Sequence, residues 1–248
     1  MYQENIKNYL TKHAYSSLNL KSVLFDMDGV LFNSMPNHAK AWNEAMKLYG
    51  FSLSYEEAYM HEGRTGAATI NIVSRRERGI DATPEEIEQI YHTKTQLFNA
   101  CPKAERMPGA WEVIQQIKAD KLTVMVVTGS GQASLLERLN RNFPDSFKKE
   151  LMVTAFDVKH GKPDPEPYLM ALEKGGLKPN EALVVENAPM GVQAGVAAGI
   201  FTLAVNTGPL PNHVLTDEGA NLLLPSMAAF SEQWKQLLQD IQNTTISI

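Results

Sequence analysis

Residues Val23–Leu31 read VLFDMDGVL, and the rest of the chain is arranged as support for them. Val23, Leu24 and Phe25 form a short apolar run of the kind that makes a strand buried on both faces. The run ends at Asp26 and Asp28, followed at once by Gly29. Residues two apart along a strand point to the same side, so both carboxylates are expected to face one pocket, with Met27 turned away. Gly29 permits a sharp exit because glycine tolerates backbone angles that other residues avoid. A calcium loop is excluded: the glycine comes too early, and no third acid falls at the required spacing. Turn-capping acids and a functional pair both remain compatible with the bare spacing.

The flanking sequence separates the two. After Leu31 the strand pattern stops, and 37–49, 54–60, 66–78 and 84–99 all show helical periodicity. Thr83-Pro84-Glu85-Glu86 is a helix start with an N-cap, a proline at the first helical position and acids near the positive end. Cys101–Pro108, with two prolines, reads as a linker. From there helix and strand alternate. Helices are expected at 109–119, 132–140, 166–174, 190–198 and 226–243, and strands at 122–127, 151–153, 182–185, 200–205 and 221–224. Alternation of this kind implies an α/β fold, a doubly wound parallel sheet covered by helices on both faces. Because Val23–Phe25 belongs to the same sheet, the helical stretch is an insertion into it. The expected organisation is a Rossmann-like core of residues 1–33 and 105–248 with an inserted α-helical cap of residues 34–104. Ile6, Tyr9, Leu10 and His13 place a leader helix within residues 3–18.

Sites in such sheets lie beyond the carboxyl ends of the strands. Collected there are Asp26 and Asp28, then Thr128-Gly129-Ser130-Gly131, then Gly161-Lys162-Pro163-Asp164-Pro165, and finally Glu186-Asn187. Two acids, a hydroxyl with free backbone amides, a lysine and an acid–amide pair thus converge on one end of the sheet. Singly, Lys162 reads as a solvated loop lysine and Glu186 as a helix-capping acid; their order along the chain gives them chemistry.

Composition is that of an ordinary globular protein, with 44% hydrophobic and 21% charged residues. A net charge of −5 without a dense basic run gives no support to nucleic-acid binding. No apolar stretch is long enough to span a bilayer, and the first residues lack a signal-peptide core. One cysteine, Cys101, excludes an internal disulfide and fits a reducing compartment, so a cytoplasmic location is expected. Oligomeric state has no signature here, and a monomer is compatible with the sequence.

The D-x-D-G-V-L motif, the T-G-S turn, the G-K-P-x-P-x-P-Y loop and the V-V-E-N-x-P-x-G-V turn resemble, in order and over almost the whole chain, the haloacid dehalogenase superfamily of phosphotransferases. The insertion after the first motif is similar to the cap of its β-phosphoglucomutase-like branch. The resemblance implies that Asp26 is the nucleophile forming an aspartyl phosphate and that Asp28 is the general acid and base. It implies that Thr128 with the amides of Gly129 and Ser130 holds the phosphoryl oxygens, and that Lys162 neutralises charge between nucleophile and phosphate. Mg²⁺ is implied as cofactor, bound by Asp26, the Asp28 carbonyl and the Glu186-Asn187 turn. Asp164 is left between an indirect contact to Mg²⁺ and a helix cap, and His160 is expected to be structural.

Departures from the family pattern bear on the substrate. An acid commonly follows the fourth-motif glutamate, where this chain has Asn187. Glu62, in the cap loop His61-Glu62-Gly63-Arg64-Thr65-Gly66, stands where the sugar-phosphate mutases carry a basic residue. An acid facing a phosphate is repulsive unless a cation lies between them, so Glu62 is expected to complete the Mg²⁺ shell and leave space for a small substrate only. The two cations with which mutases hold a second phosphate correspond to Gly66 and Gly131, although Arg64 is nearby. His38 matches the hinge histidine of the mutases and, with Arg64, is a candidate substrate contact. The HEGRTG loop and the ENAP turn are similar to those of a Bacteroides-type inorganic pyrophosphatase of this branch. The expected substrate is therefore a small phosphorylated molecule. Pyrophosphate comes first, β-glucose 1-phosphate isomerisation second and broad sugar-phosphate hydrolysis third.

Overall fold

Five parallel strands, β1 (Ser22–Phe25), β2 (Thr123–Val126), β3 (Ala182–Glu186), β4 (Phe201–Val205) and β5 (Leu222–Leu224), form one sheet in the order β2-β1-β3-β4-β5. The computed structural model describes residues 1–130 and 135–247. Alternation along β1 serves both faces. Val23 and Phe25 face a core built with α1 (Gln3–His13), α6 (Ala110–Ala119), α7 (Leu135–Asn142) and α11 (Met227–Asn243), whereas Leu24 faces α8 (Glu166–Gly175) and α9 (Pro189–Ala197). Phe25 is in register with Val126 on one side and Val185 on the other, which brings the ends of β1, β2 and β3 to one level.

Between β1 and α6 run four helices, α2 (Met35–Leu48), α3 (Tyr55–Met60), α4 (Gly66–Arg78) and α5 (Pro84–Ala100). They enclose their own apolar cluster, including Met46, Phe51, Leu53, Ile70, Val73 and Ile90. Capping boxes at Ser54/Glu57 and Thr83/Glu86 fix the starts of α3 and α5, each satisfying two otherwise orphaned amides. The chain enters and leaves this insert as a hydrogen-bonded pair of segments: Asn33 N donates to Glu105 O and Met107 N to Leu31 O, both at 2.9 Å. Among the described residues no helix is long and apolar enough to cross a membrane.

Two expectations need correction, and one element is new. The leader helix stops at His13, not 18, because Ala14 takes a left-handed conformation (φ 53°) and turns the chain. Residues 151–153 are not a strand. A 3-10 turn (Lys149–Leu151) leads to Val153, which makes one isolated parallel bridge to Val127 before Asp157 ties up the amide and hydroxyl of Thr154 and ends the pairing. A short helix, α10 (Asn212–Thr216), follows Pro211 in a stretch to which the sequence reading assigns no element. Gly131 and the expected helix start at 132 lie outside the described residues.

Candidate active site

Asp26 leaves β1 still tied to the sheet, its amide donating to Val185 O at 3.0 Å. Gly29 then turns with φ +80°, and a Cβ there would sit 2.1 Å from Asn187 Nδ2, so the turn and the close approach both require glycine. Asp26 and Asp28 are thereby set at the sheet's carboxyl edge as the spacing predicts.

Lys162 is buried between two carboxylates, with Nζ donating to Asp26 Oδ1 at 2.5 Å, Glu186 Oε1 at 2.6 Å and Val127 O at 3.1 Å. Burial opposes its charge, but the two carboxylates outweigh burial and push its pKa up. Burial is also the main influence on Asp26 and raises its pKa; Lys162 opposes this, and the neighbouring Glu186 and Asp28 reinforce it. Asp28 shows the opposite outcome. Burial alone would raise it, but His38, the Ser34 hydroxyl and the charge of Arg138 together leave it at about 2. Ser34 Oγ donates to Asp28 Oδ1 at 2.5 Å, and His38 Nε2 stands 3.6 Å from the same oxygen.

The remaining expected residues fall around this centre. Thr128 is buried, and its Oγ1 accepts the Ser130 amide at 3.1 Å, so the turn is folded around the threonine hydroxyl. Asp164 Oδ1 accepts from the Glu166 amide at 2.8 Å, at the start of α8. Glu62 reaches from the insert to Asn187, whose Nδ2 donates to Glu62 Oε2 at 3.0 Å. The other oxygens of this pair, Glu62 Oε1 and Asn187 Oδ1, are buried without a partner among the described residues. Burial, then Asp26, Glu186 and Asp28, push the Glu62 carboxyl well above its ordinary range. Two orphaned hard oxygens next to clustered acids are a donor set that suits Mg²⁺.

Two assignments change with the geometry. Glu186, carried over as a metal ligand, has both oxygens engaged: Oε1 by Lys162 and by Tyr168 Oη at 2.8 Å, Oε2 by the amides of Asn187 and Ala188. It anchors the lysine and shapes the turn that presents Asn187. His38, taken as a substrate contact, stacks on Phe98 with ring centroids 4.1 Å apart and accepts at Nδ1 from Lys94 Nζ at 2.9 Å, so its free face is turned to Asp28. Another group of metal-type side chains, the exposed His160 and Asp164 and the half-buried Glu166, has its carboxylate oxygens accepting the amides of residues 159, 160 and 166 in the turns that lead into α8.

Sequence reasoning missed three residues. Lys94 lies on the apolar face of α5, four residues from Ile90 and from Phe98, within 5.1–5.9 Å of the rings of Trp42, Tyr91 and Phe98. A lysine at core spacing is the signal that would have found it. Arg138 stacks 3.9 Å above Phe32 and adds charge near Asp28, and Tyr168 holds Glu186; neither has a distinguishing local pattern.

The fold and this constellation define an aspartate-centred phosphotransfer enzyme. A family model described as haloacid dehalogenase-like hydrolase matches residues 23–205, and the chain belongs to that family. A solved structure from Bacteroides vulgatus, provisionally assigned as a beta-phosphoglucomutase, is 68% identical, covers 98% of both chains and superposes with a TM-score of 0.94. Hexitol phosphatase A of Escherichia coli (strain K12) is 31% identical over 75% of this chain and 83% of its own. The phosphorylated carbohydrates phosphatase of Thermotoga maritima is 29% identical over 73% of this chain and 82% of its own.

Proposed function

We propose that the protein is a Mg²⁺-dependent phosphohydrolase acting through an aspartyl phosphate on Asp26, with inorganic pyrophosphate as its substrate. Residues 34–104 act as the cap on a core of 1–33 and 105–248. The observation that carries the reading is Glu62, an acid lowered from the insert onto Asn187 with one oxygen of each left unpartnered. An acid in that place repels a phosphate unless a cation intervenes. Glu62 and Asn187 would hold such a cation and keep the insert close over the site.

Asp26, Glu62, the Asn187 carbonyl oxygen and the Asp28 backbone carbonyl would hold Mg²⁺, which supplies charge neutralisation at the transferring phosphoryl group. The Asp26 carboxylate attacks one phosphorus; the bridging P–O bond breaks, and Asp28, ionised in the free protein but protonated once the negative charge of bound pyrophosphate raises its pKa, gives that proton to the departing phosphate. Asp28, now ionised, takes a proton from water as that water attacks the aspartyl phosphate, which releases the second phosphate and regenerates both carboxyl groups. Thr128 and the Gly129 and Ser130 amides orient the phosphoryl oxygens, and Lys162 offsets the charge that accumulates at Asp26.

A mutase role is disfavoured by Gly66. A Cβ at this position would sit 2.2 Å from the Tyr91 ring, so the mutase arginine has no room unless Tyr91 moves. A second reading, hydrolysis of sugar phosphates, is favoured by the names of the curated relatives. The test is Mg²⁺-dependent phosphate release from pyrophosphate against hexose and hexitol phosphates, with isomerisation of β-glucose 1-phosphate followed in parallel. Strong pyrophosphate turnover that collapses in Glu62→Ala and Asp26→Asn supports the proposal. Faster turnover of sugar phosphates, insensitive to Glu62→Ala, replaces it with the second reading, and efficient isomerisation makes the protein a mutase.

A further inference from the structure

The insert also meets the core at a point that none of the sequence motifs covers. Tyr59, in the last turn of α3, lays its ring against Gly208 in the loop after β4. A Cβ on Gly208 would sit 2.9 Å from Tyr59 Cδ1 and 3.1 Å from Cε1. Gly208 is not in the left-handed region, so its backbone is open to other residues and only the space taken by the ring requires glycine there. Both sides of the contact are braced. On the insert, the Glu62 amide donates to Tyr59 O at 3.3 Å and the His61 amide to Glu57 O at 3.0 Å, so one continuous turn carries the ring and the Glu62 carboxylate. On the core, Asn206 Nδ2 donates to Leu210 O at 2.8 Å and to Asn212 Oδ1 at 2.7 Å, closing the loop around Gly208. Thr207 Oγ1 donates to Gly29 O at 2.7 Å, and the α-carbon of Gly29 abuts Asn187. The surface under Tyr59 and the amide under Glu62 therefore rest on the same turn. The insert docks at two points whose spacing is fixed on both halves.

We propose that Tyr59 and Gly208 are a positioning pair: the ring seats in the gap left by the missing side chain and sets how far Glu62 descends onto Asn187. The inference rests on the reading in which Glu62 and Asn187 share Mg²⁺. Packed contacts give little under an added methyl, so an overfilled gap holds the insert off the core. A carboxylate carried on the same turn then falls short of a cation whose ligand oxygens must lie at about 2.1 Å. Apparent Mg²⁺ affinity follows the fraction of molecules that reach the seated state. Neither residue touches the reacting atoms; both act through Glu62.

The test measures seating directly, by the distance between spin labels at the exposed positions Glu88→Cys on α5 and Lys149→Cys on the core, in a Cys101→Ser background. Mg²⁺ affinity by calorimetry and the kinetics of pyrophosphate hydrolysis are read beside it. Gly208→Val is expected to lengthen the label distance and to weaken Mg²⁺ binding roughly five- to hundredfold, the range of an overpacked contact. It should raise the Mg²⁺ concentration needed for half-maximal rate, with little change in kcat at saturating Mg²⁺. Trimming the ring makes room, so Tyr59→Ala combined with Gly208→Val should recover the short distance and much of the affinity. Tyr59→Phe, which keeps the ring, should match the wild type. In a Glu62→Ala background Gly208→Val should leave Mg²⁺ affinity unchanged, because the acid that the pair positions is gone. Gly208→Ala repeats each reading at smaller amplitude and covers the case in which Gly208→Val does not fold. Label distances that Gly208→Val does not lengthen, or that the double variant does not restore, overturn the pair while leaving the phosphohydrolase standing. A wild type whose Mg²⁺ affinity is indifferent to Glu62→Ala overturns the shared-cation reading instead, and the pair then stands or falls on the label distances.

Discussion

Asn187 and Glu62, 125 positions apart, meet through a 3.0 Å hydrogen bond from the amide nitrogen to the carboxylate, joining the core turn to the helical insert. The amide's role follows from what an aspartate would do in its place. Asn187→Asp removes the donor and sets two acids against each other, so the metal-free chain is expected to lose about 1–3 kcal/mol, or roughly 2–10 °C in Tm for a chain of this size. Mg²⁺ should then raise Tm more in the variant than in the wild type. Thermal unfolding with and without Mg²⁺ checks this, and an unchanged metal-free Tm contradicts it.

Lys162 neutralises two carboxylates that have almost no contact with water. Lys162→Met leaves both buried and uncompensated, an expected loss of about 3–5 kcal/mol. Urea unfolding of the metal-free protein should show a smaller deficit at pH 5 than at pH 8, because Asp26, raised to about 8, carries its proton at the lower pH and leaves one buried charge fewer without a partner. An equal deficit at both pH values speaks against charge as the cause.

The acid cluster gives the metal-free protein a pH dependence of definite sign. Asp26 and Glu62 have raised pKa values when folded, against ordinary values of 3.8 and 4.5. The folded chain therefore keeps protons that the unfolded chain has lost, and stability falls as pH rises above about 4.5. Asp28 works the other way, but its contribution is complete above 3.8 and is lost only as pH falls through about 2, outside that window. His13, His38 and His61 have lowered pKa values and oppose this trend below 6.5, so metal-free Tm should drop from pH 6.5 to pH 8, and saturating Mg²⁺ should flatten or reverse the slope by displacing those protons. A metal-free Tm that rises over this range contradicts the assignment.

Lys94 bears on Asp28 through His38. An ammonium has only donors, so Nδ1 of His38 must accept and the neutral ring carries its proton on Nε2, toward Asp28. Burial lowers Lys94 to about 8, which still leaves it mainly charged at neutral pH. Lys94→Met keeps the apolar stem among its aromatic neighbours but releases the tautomer. We expect kcat to fall roughly ten- to hundredfold, within what a positioned acid–base group supplies, with little change in KM or Tm. A loss confined to KM places Lys94 in binding instead.

What was legible in the sequence was what local geometry decides. Asp26 and Asp28 follow the end of β1, near enough for Asp28 to raise the Asp26 pKa, and the strand-end loops converge because parallel strands in register end at one level. Helix limits carrying a caps signal, as at Thr83-Pro84, were also readable. Pairings between side chains on separate elements were not. Lys94 and His38 lie 56 residues apart and Tyr168 and Glu186 18 apart, and each meeting depends on how two helices or a helix and a strand are rotated together. The same holds for Glu186. Its acid beside a turn is visible in sequence, but that four protein donors saturate it is visible only in three dimensions. Residues 151–153 were over-read because an apolar triplet at strand spacing carries no information about Asp157 closing the ladder behind it.

The two segments that enter and leave the insert are bonded to each other at Asn33–Glu105 and Leu31–Met107. Mechanically they form a single strap, which can flex as a ribbon but resists shearing one edge along the other. Any swing of α2–α5 about that strap carries Glu62, Arg64 and His38 away from the core in one arc. On the proposed mechanism, admitting a substrate, exposing the Glu62 and Asn187 oxygens and disengaging His38 from Asp28 would be the same event, and a phosphoryl-aspartate would lose all three supports together.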